Sequence, residues 1–389
     1  MDGDGTGYNL RVTPRLAALD AAAWDACAGP DNPFVSYGFL SALEDSGSAN
    51  ARAGWQPQHL TLEDPAGRIV ACAPLYLKSH SYGEYVFDHG WADAYERAGG
   101  RYYPKLQCAV PFSPVPGPRL LLHPDAPADA AQMMIGGMVE LAKQLKVSSL
   151  HVTFSTETQW QQFGDAGFLQ RIGEQFHWEN RGYGSFEDFL GALNSRKRKS
   201  IRKERREALD GGLEIRTLTG PEITRQHWDA FFGFYMSTSD RKWGSAYLTR
   251  SFFDLLGERL GDRVVLILAE HNGEPVAGAL NLRGSDTLYG RNWGAVGDFK
   301  FLHFEACYYR AIDYAIAHGL ARVEAGAQGT HKIQRGYLPS ETYSAHWIRD
   351  PGFAAAVDHF LKRERPAIRA QMAELATLSP FRKAGEAEG

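Results

Sequence analysis

The chain has 389 residues, of which 44% are hydrophobic and 23% charged, an ordinary globular composition long enough for two domains with separate cores. A formal net charge of −4 excludes a surface built throughout for nucleic acid but leaves room for a local basic patch. The four cysteines, Cys27, Cys72, Cys108 and Cys307, show no CxxC spacing, which argues against a zinc knuckle or a disulfide framework and for a reducing compartment. The start, Met1-Asp2-Gly3-Asp4-Gly5, is acidic instead of basic then apolar, and the longest aliphatic run, 264–269, is too short to cross a bilayer. A cytoplasmic protein is expected.

Residues 59–63 read as a strand that turns at Asp64-Pro65-Ala66-Gly67 and returns through 69–75, a β-hairpin with a glycine-bearing turn. An aromatic and proline-rich stretch follows. It carries His80, Tyr82, Glu84, Tyr85, Asp88 and His89, then Lys105 after Tyr102-Tyr103-Pro104. Residues 128–145 have helical spacing and 149–154 read as a strand. The second half repeats that order, with a hairpin over 264–280 turning at His271-Asn272-Gly273-Glu274, a strand at 288–293, a helix over 302–318 and a strand at 321–325. Both return strands open with Val-Ala-x-Ala. The agreement predicts an α+β protein of two halves, 1–180 and 181–389.

Two further segments stand out. Residues 194–210 carry eight cations between 196 and 206 and predict a helix that is basic on nearly every face. Such a helix either grips the phosphates of a cofactor, a tRNA or anionic lipid, or is a solvated face relieved by Glu204, Glu207 and Asp210. The second segment, Gly326 to Gly336, packs three glycines with His331, Lys332 and Arg335 directly after a buried strand. Glycines allow close backbone approach, and an imidazole beside two cations supplies a proton carrier next to anion binders.

The order hairpin, third strand, helix, buried strand resembles a GNAT acyltransferase half, and two such halves in tandem resemble the FemAB-like proteins. The runs from Lys78 to His89, Tyr102 to Leu106, Pro111 to Pro114 and Gly326 to Pro339 are similar to the branch labelled "peptidoglycan biosynthesis/recognition" in Gram-negative bacteria. The resemblance covers residues 32–359 and implies two tandem GNAT-like domains. It implies an N-acyltransferase that moves an acyl group from a coenzyme A thioester to an amine, a lipid amine such as a sphingoid base being one acceptor. An aminoacyl-tRNA-dependent ligase acting on a peptidoglycan precursor and a non-catalytic cell-wall or lipid binder stay open beside it. GNAT enzymes hold the coenzyme A pyrophosphate on a Q/R-x-x-G-x-G/A loop, which here falls on Arg291, Gly294 and, one position late, Gly297.

N-acylation needs a deprotonated amine, stabilisation of an oxyanion and a proton for the leaving group. His331 and His80 are the candidate proton carriers, with Glu84 placed to orient His80. Lys332, Arg335, Lys105, Tyr82 and Tyr85 are candidate substrate contacts, the tyrosines as an aromatic wall. No nucleophilic triad, HExxH pair or carboxylate loop is apparent, so direct attack without a metal or an acyl-enzyme is expected. Peripheral contact with the inner membrane would suit a lipid acceptor.

Overall fold

The computed structural model describes residues 7–242, 246–326 and 329–382. Residues 1–6 of the acidic start and Ala327-Gln328 of the glycine-rich segment lie outside the described residues. Contacts group the chain into two compact units, one running up to Gly173 and including Glu341–Arg369, the other Glu174–Ser340 with the residues from Ala370 onward.

In the first unit, β1 (Asn9–Thr13) is followed by two helices and then by one long bent hairpin. Its outgoing arm is β2 (Trp55–Pro57) and β3 (His59–Glu63), and its return arm is β4 (Ile69–Ala73) and β5 (Leu75–Lys78). The turn is fixed by Asp64 Oδ1, which accepts from the backbone N–H groups of Ala66 and Arg68, while Gly67 takes a φ of 78°. Pro74 has no N–H to give the ladder, and the arm breaks there. Beyond the break the arms separate into two sheets. β3 and β4 join β1 and β7 (Leu121–Leu122) in the order β1-β3-β4-β7, whereas β2 and β5 continue to β6 (Lys105–Cys108) and β8 (Ser149–Ser155). β6 and β8 are parallel, joined through the helix Ala130–Gln144. That helix repeats apolar residues on one face, and Met134, Ile135, Met138 and Ala142 pack with Leu62, Leu75, Leu106 and Leu150.

β9 (Leu169–Glu179) carries the chain into the second unit. The basic segment there forms the helix Ser195–Ala208, capped by Asn194 Oδ1 on the Lys197 N–H at 3.0 Å. After β10 (Leu213–Thr219) come the helices Arg225–Lys242 and Arg250–Leu260, then β11 (Val264–His271) and β12 (Glu274–Arg283). These two strands meet at Asn272-Gly273, both with positive φ as a tight hairpin turn demands. β13 (Thr287–Ala295) leads to a helical run from Leu302 to Ala317, with one π turn at Glu305–Tyr309, and then to β14 (Arg322–Glu324) parallel to β13. The order is β10-β11-β12-β13-β14-β9.

β15 (Leu338–Ile348) returns the chain to the first unit, where Tyr343–Ile348 pair antiparallel to β8. The order of elements expected for each half is therefore present, and the fold is α+β. The boundary differs from the expected 180/181 because the register of β15 is with β8, so 341–369 group with the N-terminal residues. No helix among the described residues is long and apolar enough to cross a membrane.

Candidate functional site

In the second unit β14 ends at Glu324, where Gly326 turns the chain away at a φ of 78°, while β13 runs on to Ala295. The two strands therefore part after the Tyr289–Glu324 step. Just past that point β13 bulges. Leu280 faces Asn292 and Asn281 faces Gly290, so Arg291 is the inserted residue.

Pairs across neighbouring strands share a face, which sorts the residues at the parting. Leu288, Val323 and Trp178 point into the core beneath the helical run, together with Tyr308, Tyr309 and Ile312. On this side His331 opens the turn Thr330–Arg335, with its Nε2 2.9 Å from Tyr308 Oη. Burial raises the Tyr308 pKa, so its phenol keeps the proton. The His331 ring lies 6.2 Å from His303, which stands edge-on to Trp293 at 5.4 Å. Trp293, Ala295, Gly297, Phe299, Leu302 and His303 line a cavity of about 260 Å³ beside them.

The opposite face carries the row Tyr289, Glu324, His177. Glu324 is buried, its Oε1 4.0 Å from His177 Nε2 and its Oε2 without a hydrogen-bond partner among the described residues. Burial pushes the Glu324 carboxyl up to about 8 and holds the His177 imidazole down at about 3.

The remaining expected residues of this unit serve the chain. Lys332 is buried and donates to the Gly326 carbonyl at 2.9 Å, and burial lowers its pKa to about 8. Arg335 donates to the His331 carbonyl and to Glu204 Oε2, both at 2.9 Å, and lies 3.4 Å over the Phe304 ring. Arg291 and Gly294 were expected in a loop and instead belong to β13. Gly294 has a packing reason to be glycine, since a methyl there would sit 2.2 Å from the Phe234 carbonyl oxygen. Only Gly297 lies in the loop beyond the strand.

In the first unit Glu84 and Lys105 come together. Lys105 Nζ donates to Ser81 Oγ and Glu84 Oε2, both at 2.8 Å, and to Asp88 Oδ2. Lys78 Nζ lies 3.7 Å over the Trp55 ring and 3.9 Å from Glu84 Oε1. The four charged side chains, Lys78, Glu84, Asp88 and Lys105, are buried. Burial raises the Glu84 carboxyl to about 7 and lowers Lys78 to about 7, whereas Lys105 outweighs burial at Asp88 and holds it far below the usual carboxylate range. Glu84 does not orient His80, because its partners are the two lysines. His80 Nδ1 accepts from the Tyr82 N–H at 3.2 Å, and its ring packs against Gly54. Tyr82 is exposed, and Tyr85 is half-buried at a φ of 59°. Asp88 binds Tyr102 Oη at 2.7 Å, and behind it His151 and His346 share a buried Nδ1–Nδ1 contact of 2.7 Å.

The place between β6 and β8 that corresponds to the parting in the second unit is filled. Arg119, fully buried, donates from Nε to the Thr153 carbonyl at 2.9 Å and from its terminal nitrogens to the carbonyls of Val115, Gly117 and Pro118. The parting of the second unit has a cavity beside the end of β13 instead. Its residues Glu324, His177, Tyr308 and His303 were not singled out from the sequence. An ionisable residue inside a short buried strand was the one available signal.

On the basic helix, Arg202 pairs with Glu187, Lys203 with Glu207, and Arg205 with Glu305 and Asp313. No ion pair is formed by Arg196, Lys197, Arg198, Lys199 or Arg206 among the described residues.

In each unit a bent or straight hairpin, a third antiparallel strand and a helix leading to a parallel fourth define a tandem GNAT-type fold. The chain belongs to the FemAB-like family, described as peptidoglycan biosynthesis/recognition, whose family model matches residues 15–383. Among solved structures, FemX superposes with a TM-score of 0.56 at 13% identity over 87% of this chain and 98% of its own. The C-terminal domain of a putative lysylphosphatidylglycerol synthetase from Agrobacterium fabrum gives 0.56 at 10% identity over 88% of this chain and 95% of that one. L-PGS from Bacillus licheniformis gives 0.51 at 10% over 91% and 99%. Comparison with curated proteins gives no significant match.

Proposed function

We propose that this protein is a transferase that moves an acyl or aminoacyl group from an activated ester or thioester to an amine, with the chemistry at the parting of β13 and β14. The observation that carries the reading is the contrast between the units. The second unit has a His331–Tyr308 hydrogen bond and a cavity beside the end of β13, where the first fills the equivalent place with Arg119. The amine attacks the donor carbonyl, and the His331–Tyr308 pair hands a proton to the departing thiol or hydroxyl.

For the donor, a coenzyme A thioester rests on Gly297, in the lining of the cavity, and Arg291, bulged from β13, supplies a cation for its phosphates. A second reading, an aminoacyl-tRNA donor, is favoured by the basic helix. Cations in its first turns oppose the helix dipole, so they do not serve helix stability, which supports a role in holding an anion. The family description supports an amine on a cell-wall precursor over a lipid amine, and such an acceptor would bring the protein to the cytoplasmic face of the inner membrane. Single-turnover transfer from acyl-CoA and from charged tRNA to a precursor pentapeptide tests this. His331→Ala should lower the rate by roughly 10²–10⁴-fold without changing the melting temperature. A folded His331→Ala protein with full activity, or a wild type inert with every donor, defeats the proposal.

A further inference from the structure

The buried carboxyl of Glu324 is not used by the reaction as described. We infer that Glu324 is the residue that receives the acceptor as an ammonium ion and strips its proton, so that the enzyme selects a protonated primary amine over a hydroxyl. This rests on the transferase reading above and assigns a residue and an acceptor chemistry to it.

Geometry makes the case. Glu324 is the last residue of β14, at the step where β13 departs, and it stands on the face opposite the His331–Tyr308 pair. A base on one side of the parting and an acid on the other is what a nucleophile entering from one face and a leaving group departing by the other require. Among the described residues Oε2 has no hydrogen-bond partner although it is buried, an arrangement costly for a carboxyl unless a ligand completes it. The groups that face Glu324 are His177 from β9, Tyr289 and Arg291 from β13, Asp286 before β13, and Arg322 on its own strand. Burial keeps His177 neutral, and its Nε2 lies 3.2 Å from Gln175 Oε1 and 4.0 Å from Glu324 Oε1, so it brings no charge to the carboxyl. The burial that raises Glu324 to about 8 leaves it protonated in the empty site at neutral pH.

The protons balance. When the ammonium binds, Glu324 ionises and its proton goes to solvent. In the low-dielectric site the ammonium then returns one proton to Oε2, which leaves a neutral amine. The amine lone pair forms the N–C bond, the bond to sulfur or oxygen of the donor breaks as the His331–Tyr308 pair gives its proton to the departing group, and the second amine proton restores that pair. Glu324 ends protonated, as it began.

Two measurements test this. Calorimetric binding of 1,5-diaminopentane near pH 7 in buffers of differing ionisation enthalpy should show release of about one proton by the wild type and none by Glu324→Gln, which should also bind more weakly. Transfer should then be compared between 1,5-diaminopentane and hydroxylamine, which is already unprotonated at neutral pH. Glu324→Gln should lose roughly 10²–10⁴-fold with the diamine and little with hydroxylamine. Binding to the wild type without proton release, no binding at all, or equal loss with both nucleophiles overturns the inference. A wild type that binds the diamine with proton release yet transfers to neither nucleophile keeps Glu324 as the ammonium site and sinks the transferase reading instead.

Discussion

Replacing Lys105 with methionine removes a cation that donates to Ser81, Glu84 and Asp88 while nearly preserving the volume of the stem. Breaking a buried ion pair from one side costs about 3–5 kcal/mol, because the carboxylates left behind are out of water. In a domain of this size that corresponds to a fall of roughly 6–20 °C in melting temperature. The size of the loss depends on pH. Glu84 titrates at about 7 in the intact cluster, and without Lys105 its pKa moves higher still. Between those two values the folded variant binds more protons than the folded wild type, so the penalty grows with pH by up to about 1.4 kcal/mol per unit. Urea unfolding followed by tryptophan fluorescence at pH about 6 and about 8.5 reads both effects. A loss below about 0.5 kcal/mol, the range of a surface substitution, or one identical at the two pH values refutes the reasoning.

The Glu84 carboxyl, raised by burial to about 7 when folded and near 4.5 when unfolded, favours the folded state below its unfolded pKa, and that contribution is lost as pH rises through the folded value. Over that interval wild-type stability should fall by about 3 kcal/mol, and Glu84→Gln should flatten the slope. Gly294→Ala should destabilise by at least about 1–3 kcal/mol, since the new methyl meets the backbone of the helix Arg225–Lys242 at 2.2 Å; an unchanged unfolding midpoint would show that the helix can move aside. Substituting Arg196, Lys197, Arg198 and Lys199 with glutamine should weaken tRNA binding and flatten its salt dependence by up to about four in slope, while substitutions at Arg202 and Lys203, already paired with Glu187 and Glu207, should do much less. Equal effects from the two sets in filter-binding titrations would rule out the first turns as the docking surface.

Local chemistry made the strands and the crossover helices readable. Asp64 to Gly67 and Asn272-Gly273 announce their turns, and the apolar stripe from Ala130 to Ala142 announces its helix. Long-range pairing did not show. Nothing near residue 343 says that its strand will lie against Ser155, and a charge at 324 reads as exposed until the strands on both sides are known. Lys105 and Glu84 were both singled out, yet their meeting depends on a loop that folds Ser81, Glu84 and Asp88 back over β6. Lys332 and Arg335 misled for a related reason. The short turn Thr330–Arg335 tucks their cations inward, towards the Gly326 carbonyl and Glu204, where the sequence suggested hands held out to a ligand.

β8 finds its antiparallel partner in a strand that begins almost at the far end of the chain. On the ribosome, at about 5–20 residues per second, the interval between finishing Ser155 and reaching Tyr343 is roughly 10–40 s. Through that time the first unit is a sheet with one ladder of hydrogen bonds still vacant, and His151 has no His346 to meet. The nascent chain is thus obliged to leave its first half ajar while the second is being made. Slow codons or a missing holding chaperone over residues 155–343 should therefore damage this protein's yield more than the same delay placed after residue 350.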